Sequence, residues 1–210
     1  MTTYEFTDVA LISDLTEPAQ QSLTSDSADR VARVFHESLL NALRKGKEVA
    51  GQMFAVTDSK VLLFSINAPT HEERAVLARD AGRAFTAAAI EDDELIRFIG
   101  NTSVGIYHNS GSDVAITFVE DLSKFNDANS RDQIADAMLE HEGRVFLDEI
   151  RKGKVVATHH DGDLQMPADA YQELSVEDRV GKTTAVNNLL IETLIGAIPS
   201  APFYRTATIG

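Results

Sequence analysis

The sequence predicts an α+β fold built as a tandem duplication of one β-α-β-β-α-β unit, the two copies related by a pseudo-twofold axis. Three observations carry this expectation. First, the chain repeats itself in order. "TDVALISDL" at 7–15 returns in "SDVAITFVEDL" at 112–122, with Asp8-Val9-Ala10 and Asp113-Val114-Ala115 105 positions apart. "RKGKEVAG" at 44–51 returns as "RKGKVVAT" at 151–158, "THEER" at 70–74 as "SVEDR" at 175–179, and "FIGNTSVG" at 98–105 as "FYRTATIG" at 203–210. Four matches in one order at a nearly constant offset mark an internal repeat, with units at 1–105 and 106–210.

Second, each half alternates short apolar segments with helical periodicity. Third, the composition is that of a folded domain: 210 residues, 43% hydrophobic and 25% charged. Such a chain buries a core without staples. It contains no cysteine, which excludes disulfides and thiolate metal sites and fits a reducing compartment.

The elements follow in turn. Val9 to Leu15, and Val114 to Val119 in the second copy, read as strands. A helix is expected from Ala28 to Lys45, because Val31, Val34, Phe35, Leu39, Ala42 and Leu43 recur at helical spacing. Asp26 or Ser27 caps it and Gly46 stops it. Its counterpart is expected from Arg131 to Lys152, with Ile134, Met138, Val145 and Ile150 inward and Gly153 as the stop. A hairpin comes next, "AGQMFAVTDSKVLLFSI" in the first copy and "VVATHHDGDLQM" in the second, where Asp161-Gly162 is a two-residue turn signal.

A second helix opens at Thr70 with Glu73 three residues on, and again at Ser175 with Asp178, each a capping arrangement. Leu77, Ala81, Ala84, Phe85 and Ala88 form the buried face of the first. A strand closes each half near Val104 or Ile209. The order matches the split-βαβ, ferredoxin-like arrangement. "TSVGIYHNSGSDVAI" reads as two strands joined through Asn109-Ser110-Gly111, so the halves either share a sheet or pack as a pseudo-dimer. "LLIETLIGAI" is too short to span a membrane and carries Glu192; it reads as a buried helix.

Gly181-Lys182-Thr183-Thr184 looks like the end of a phosphate-binding loop. That loop needs a glycine five residues before the Gly-Lys pair and a preceding strand; here the position is Val176, and a capped helix start precedes. No nucleotide is expected at Gly181-Lys182-Thr183. A net charge of −14 argues against nucleic acid and membrane surfaces as partners. With no basic leader and no membrane span, a cytoplasmic protein, or one carried in a virion, is expected.

Two constellations stand out as sites. Arg44, Lys45 and Lys47, with Arg151, Lys152 and Lys154, form twin basic tetrapeptides. Cations and a left-handed glycine suit a helix C-terminus, yet a pseudo-twofold packing would converge both clusters on one acidic partner. In "THHDGD", His159, Asp161 and Asp163 offer nitrogen and oxygen ligands to a divalent cation, although a solvated turn has the same composition. No catalytic motif is present, and no cofactor is expected. The first reading is a non-enzymatic assembly protein that binds other protein chains, as a homo-oligomer or as a subunit of a virion-type complex. An enzyme using His141, His159 and Asp161 is the second, and a ligand sensor with its site between the repeats the third.

Overall fold

A computed structural model describes residues 27–68, 70–107, 111–122 and 142–165, together with Thr193, Gly196 and Ala197. Its elements are α1 (Ala28–Arg44), β1 (Gly51–Thr57), β2 (Val61–Ile66), α2 (His71–Glu91), β3 (Ile96–Tyr107), β4 (Ser112–Asp121), β5 (Glu142–Arg151) and β6 (Lys154–Gln165). The strands form one six-stranded sheet in the order β2-β1-β3-β4-β5-β6, antiparallel throughout. No helix among the described residues is long and apolar enough to cross a membrane.

The α+β class is what the sequence predicts. Strands from both sides of position 105 share the sheet, and β3 runs across that position. The described first half follows the expected order from its first helix onward. Ser27 caps α1 by accepting the Arg30 N–H. At the other end Lys47 N–H bonds Ala42 O and Gly46 N–H bonds Leu43 O, with Gly46 at φ +69. That pair of bonds is a Schellman cap. Thr70 and Glu73 form the capping box of α2. Of the C-terminal apolar run, Thr193, Gly196 and Ala197 are described, and all three are helical and buried.

Alternation along β1 assigns the two faces. Met53 and Ala55 pack with Ala78, Ala81, Phe85 and Ala89 of α2, whereas Phe54 and Val56 pack with Val31, Phe35 and Leu39 of α1. Neighbouring strand residues point oppositely, so one helix covers each face. On the α1 side Phe35 stacks on Phe54, and Gly100 of β3 makes room for that ring. A Cβ built at Gly100 would lie 2.2 Å from Phe54 Cζ. On the other side Gly82 of α2 lies against the Thr193 carbonyl and Gly196 against that of Arg79.

The second half departs from the expected helix where it is described, since residues Glu142–Arg151 are β5; 131–141 lie outside the described residues. Val145 and Ile150, expected on one helical stripe, belong to the two opposite core clusters. A strand covered on both faces buries residues of either parity, and that imitates helical spacing over a short window. The turn moves too. Asp161 and Gly162 lie inside β6, paired with Phe146 and Val145, and the hairpin turns at Lys152-Gly153. Both turn residues have positive φ, +52 and +72, as a type I′ turn requires. The β6 edge also carries two register shifts, which leave Val156 and His159 as extra residues opposite β5. Such bulges spoil an edge as a template for further pairing.

Candidate functional site

The two basic tetrapeptides adopt different structures. Arg44-Lys45-Gly46-Lys47 is a helix C-terminus, and Arg151-Lys152-Gly153-Lys154 is a hairpin turn. The fold nevertheless brings them together. Gly153 packs on the end of α1, where a Cβ would meet Leu43 O at 2.8 Å and the Arg44 Cα at 3.2 Å. Arg44, Lys45, Lys47, Arg151, Lys152 and Lys154 are all exposed around this contact. Six of the chain's 19 Lys and Arg therefore occupy one end of the sheet.

The arginines are oriented by their neighbours. Arg44 Nη1 donates to Asn41 Oδ1 at 2.8 Å. Arg151 donates to Glu149 Oε1 at 3.0 Å and to Ser112 Oγ at 3.2 Å. The lysines carry compact ammonium charges on long stems. Exposed apolar groups border them: Val155 and Val156 on β6, and Ile106 on β3 at 69% exposure. Ile106 pairs with Asp113, Asp113 with Ile150, and Ile150 with Val155. At the usual strand spacing Ile106 is thus about 14 Å from Val155 across the sheet. An open cleft of about 320 Å³ lies at the same end, lined by Val49, Gly51, Asn67, Ser103 and Arg74 among others.

Of the residues read as a metal set, His159 and Asp161 have other side-chain partners. His159 Nε2 lies 3.1 Å from Glu149 Oε2. Asp161 pairs with Arg144 at 3.0 Å and with Arg33 at 3.8 Å. Asp163 pairs with Arg144 in the sheet register, and its side chain lies outside the described residues. Among the described residues no group of three or more His, Asp or Glu is placed to hold a metal. His141, Gly181-Lys182-Thr183 and the tail "IPSAPFYRTATIG" also lie outside them.

The chain matches no protein-family model, no curated protein and no solved structure.

Sequence reasoning missed a cross-strand row beneath α1 whose centre, Gln52, Thr102 and Thr117, is polar and buried. Ser65, Gln52, Thr102, Thr117, Phe146 and Asp161 pair successively across all six strands. His36 of α1 sits on this row, with Nδ1 3.0 Å from Thr117 Oγ1 and Nε2 3.2 Å from Asp148 Oδ2. Thr117 reaches on to Thr102 at 3.0 Å. Arg33 and Arg144 both lie over the Phe146 ring, against which His36 also stacks.

Hydroxyl, imidazole and carboxylate are in the order of a catalytic triad. Thr117 is 0% exposed and His36 only 4%, so no substrate reaches the hydroxyl in this packing. Burial holds the His36 pKa below its ordinary value, against the hydrogen bond and charge of Asp148. The neutral ring donates from Nε2 to Asp148 and accepts the Thr117 hydroxyl at Nδ1. The signal was available in sequence: His36 lies four residues after Ala32 and three before Leu39, on the helix face that turned out buried.

Proposed function

We propose that this chain is a non-enzymatic binding and assembly protein whose working surface is the basic end of the sheet. The observation that carries the reading is the packing of Gly153 on the Leu43 carbonyl, which joins two basic turns 107 positions apart in sequence. Six exposed cations beside Ile106, Val155 and Val156 combine charge with apolar area, as a protein-binding surface does. Its arginines are held by Asn41 and Glu149, and the surface offers charge for binding rather than a group set up for reaction.

The partner class follows from electrostatics. Anionic surfaces attract the patch, but a chain of net charge −14 is repelled as a whole by an extended polyanion such as DNA. An acidic protein segment of limited size satisfies the patch without that penalty. Titration of a fluorescent glutamate-rich peptide into the protein tests this. Lys47→Glu/Lys154→Glu should weaken binding at least about tenfold, and salt should weaken it further. Equal binding by the variant and the parent protein would remove the basic end from consideration. Tighter binding of duplex DNA than of the peptide would replace the protein partner with a nucleic acid.

A further inference from the structure

The opposite end of the sheet carries the complementary charge. Glu91, Asp92, Asp93 and Glu94 follow one another where α2 ends and turns into β3, and Asp58 stands beside them in the β1–β2 turn. Hydrogen bonds shape this corner. Thr57 and Ser59 donate to Glu94, Lys60 pairs with Asp92, and Leu95 N–H donates to Asp58 at 3.2 Å. Partial burial raises the Glu94 pKa, yet the two hydroxyl donors and Lys60 outweigh it and hold the carboxyl below its ordinary value. Glu94 is therefore ionised at neutral pH.

Helix physics works against these residues. A helix C-terminus favours cations, and the last turn of α2 contains none. Asp93 occupies the left-handed position of a Schellman cap at φ +56, with Asp93 N–H to Ile90 O and Glu94 N–H to Ala89 O. Glycine is the ordinary residue there. These carboxylates therefore draw nothing from the helix dipole.

The acidic corner and the basic end lie at opposite ends of β3, which spans Ile96–Tyr107. At strand rise this separates them by about 37 Å, several screening lengths at physiological salt. They cannot satisfy each other within one molecule. Each end also exposes apolar area, Ile90 at 38% on one and Ile106, Val155 and Val156 on the other.

We infer that the basic end of one copy binds the Asp58 and Glu91–Glu94 corner of a second copy, head to tail. This rests on the reading of the basic end as a protein-binding surface and names its partner. The two surfaces differ, so the contact is heterologous, and repetition builds a ring or a filament according to whether the rotation closes.

Sedimentation velocity at low salt tests it with two variants, Lys47→Glu/Lys154→Glu and Glu91→Lys/Asp93→Lys. The parent chain should form multimers whose size grows with concentration up to about 100 μM, a range that detects micromolar contacts. Each variant alone should remain monomeric. An equimolar mixture retains one intact pair of surfaces, the acidic corner of the first variant with the basic end of the second. It should form a 1:1 dimer and stop there, which also demonstrates that both variants fold.

A mixture that stays monomeric while the parent multimerises would assign assembly to other surfaces. A parent chain that stays monomeric would overturn the inference outright. The glutamate-peptide titration separates the two failures: peptide binding by a monomeric parent leaves the basic end as a site for another acidic protein, and no binding removes both readings.

Discussion

His36 of α1 and Asp148 of β5 lie 112 residues apart in sequence and 3.2 Å apart in space, and this contact ties the helix to the sheet. Burial holds the imidazole below its ordinary value of 6.5 while Asp148 first, then Asp161 and Glu37, pull the other way. A histidine with a lowered folded pKa binds fewer protons folded than unfolded. Its contribution to stability is complete above the unfolded value and is lost as the pH falls through the folded one. Urea unfolding should therefore show stability declining from about pH 6.5 downward, and His36→Gln should flatten that first decline. An unchanged slope in the variant would assign the acid sensitivity to other groups. Glu94, also lowered, acts in the same direction at lower pH, so its loss follows that of His36.

Gly100 faces the Phe54 ring with no space for a side chain, since a Cβ would lie 2.2 Å from Cζ and 2.5 Å from the Phe118 carbonyl oxygen. Phe54 is fully buried and stacked on Phe35, so the ring cannot swing aside without opening the α1 face. Gly100→Ala should cost about 3 kcal/mol, in the range of overpacked cores. Gly105→Ala, on the same strand, meets only Ile116 Cδ1 at 3.3 Å and should cost under about 1 kcal/mol. Thermal denaturation of the pair checks the contrast.

The α1, β1, β2, α2 and β3 elements were legible in sequence because each carries its own local signal. Ser27 and Thr70 cap, Gly46 stops, and Ala81, Ala84 and Phe85 mark one face. The second half was misread where local and tertiary signals diverge. Lys152-Gly153 resembles Lys45-Gly46 residue for residue, yet one turns a hairpin and the other ends a helix. What decides is the chain before the turn, where both faces of β5 are covered and its burial pattern loses the alternation of a strand. The basic cluster was legible as residues, and its convergence as a possibility. The acidic corner was not, because Glu91–Glu94 reads as an ordinary solvated run until the register of β3 sets it opposite the lysines. His36 escaped for a similar reason: its partners Thr117 and Asp148 are remote in sequence.

The twin glycines Gly46 and Gly153 give a controlled comparison within one chain. Both have positive φ, +69 and +72, which penalises any L side chain by about 1 kcal/mol. Nothing lies within 4 Å of a Cβ at Gly46, whereas at Gly153 the Leu43 carbonyl oxygen lies 2.8 Å away. Gly46→Ala should cost only the backbone term, about 1 kcal/mol, while Gly153→Ala should cost at least about 2 kcal/mol by adding the clash. Because the clash pushes the β5–β6 turn off α1, Gly153→Ala should also weaken binding of the glutamate peptide, and Gly46→Ala should leave it near the parent value. Equal effects of the two on stability would mean that the turns are not packed together.

Glu91 is where stability and assembly part company. It is exposed in the last residue of α2, a place where a carboxylate opposes the helix dipole and an ammonium supports it. Glu91→Lys should therefore raise the stability of the isolated monomer by about 0.5 kcal/mol at low ionic strength, measured by urea unfolding at low salt and at a protein concentration low enough to keep copies apart. Sedimentation at low salt should move the other way, with self-association weakened about two- to fivefold for the loss of one exposed charge pair. A purely structural acid gives a single sign in both measurements, since a better-capped helix would associate at least as well. Gain in one and loss in the other is what a residue retained for contact with a second copy predicts.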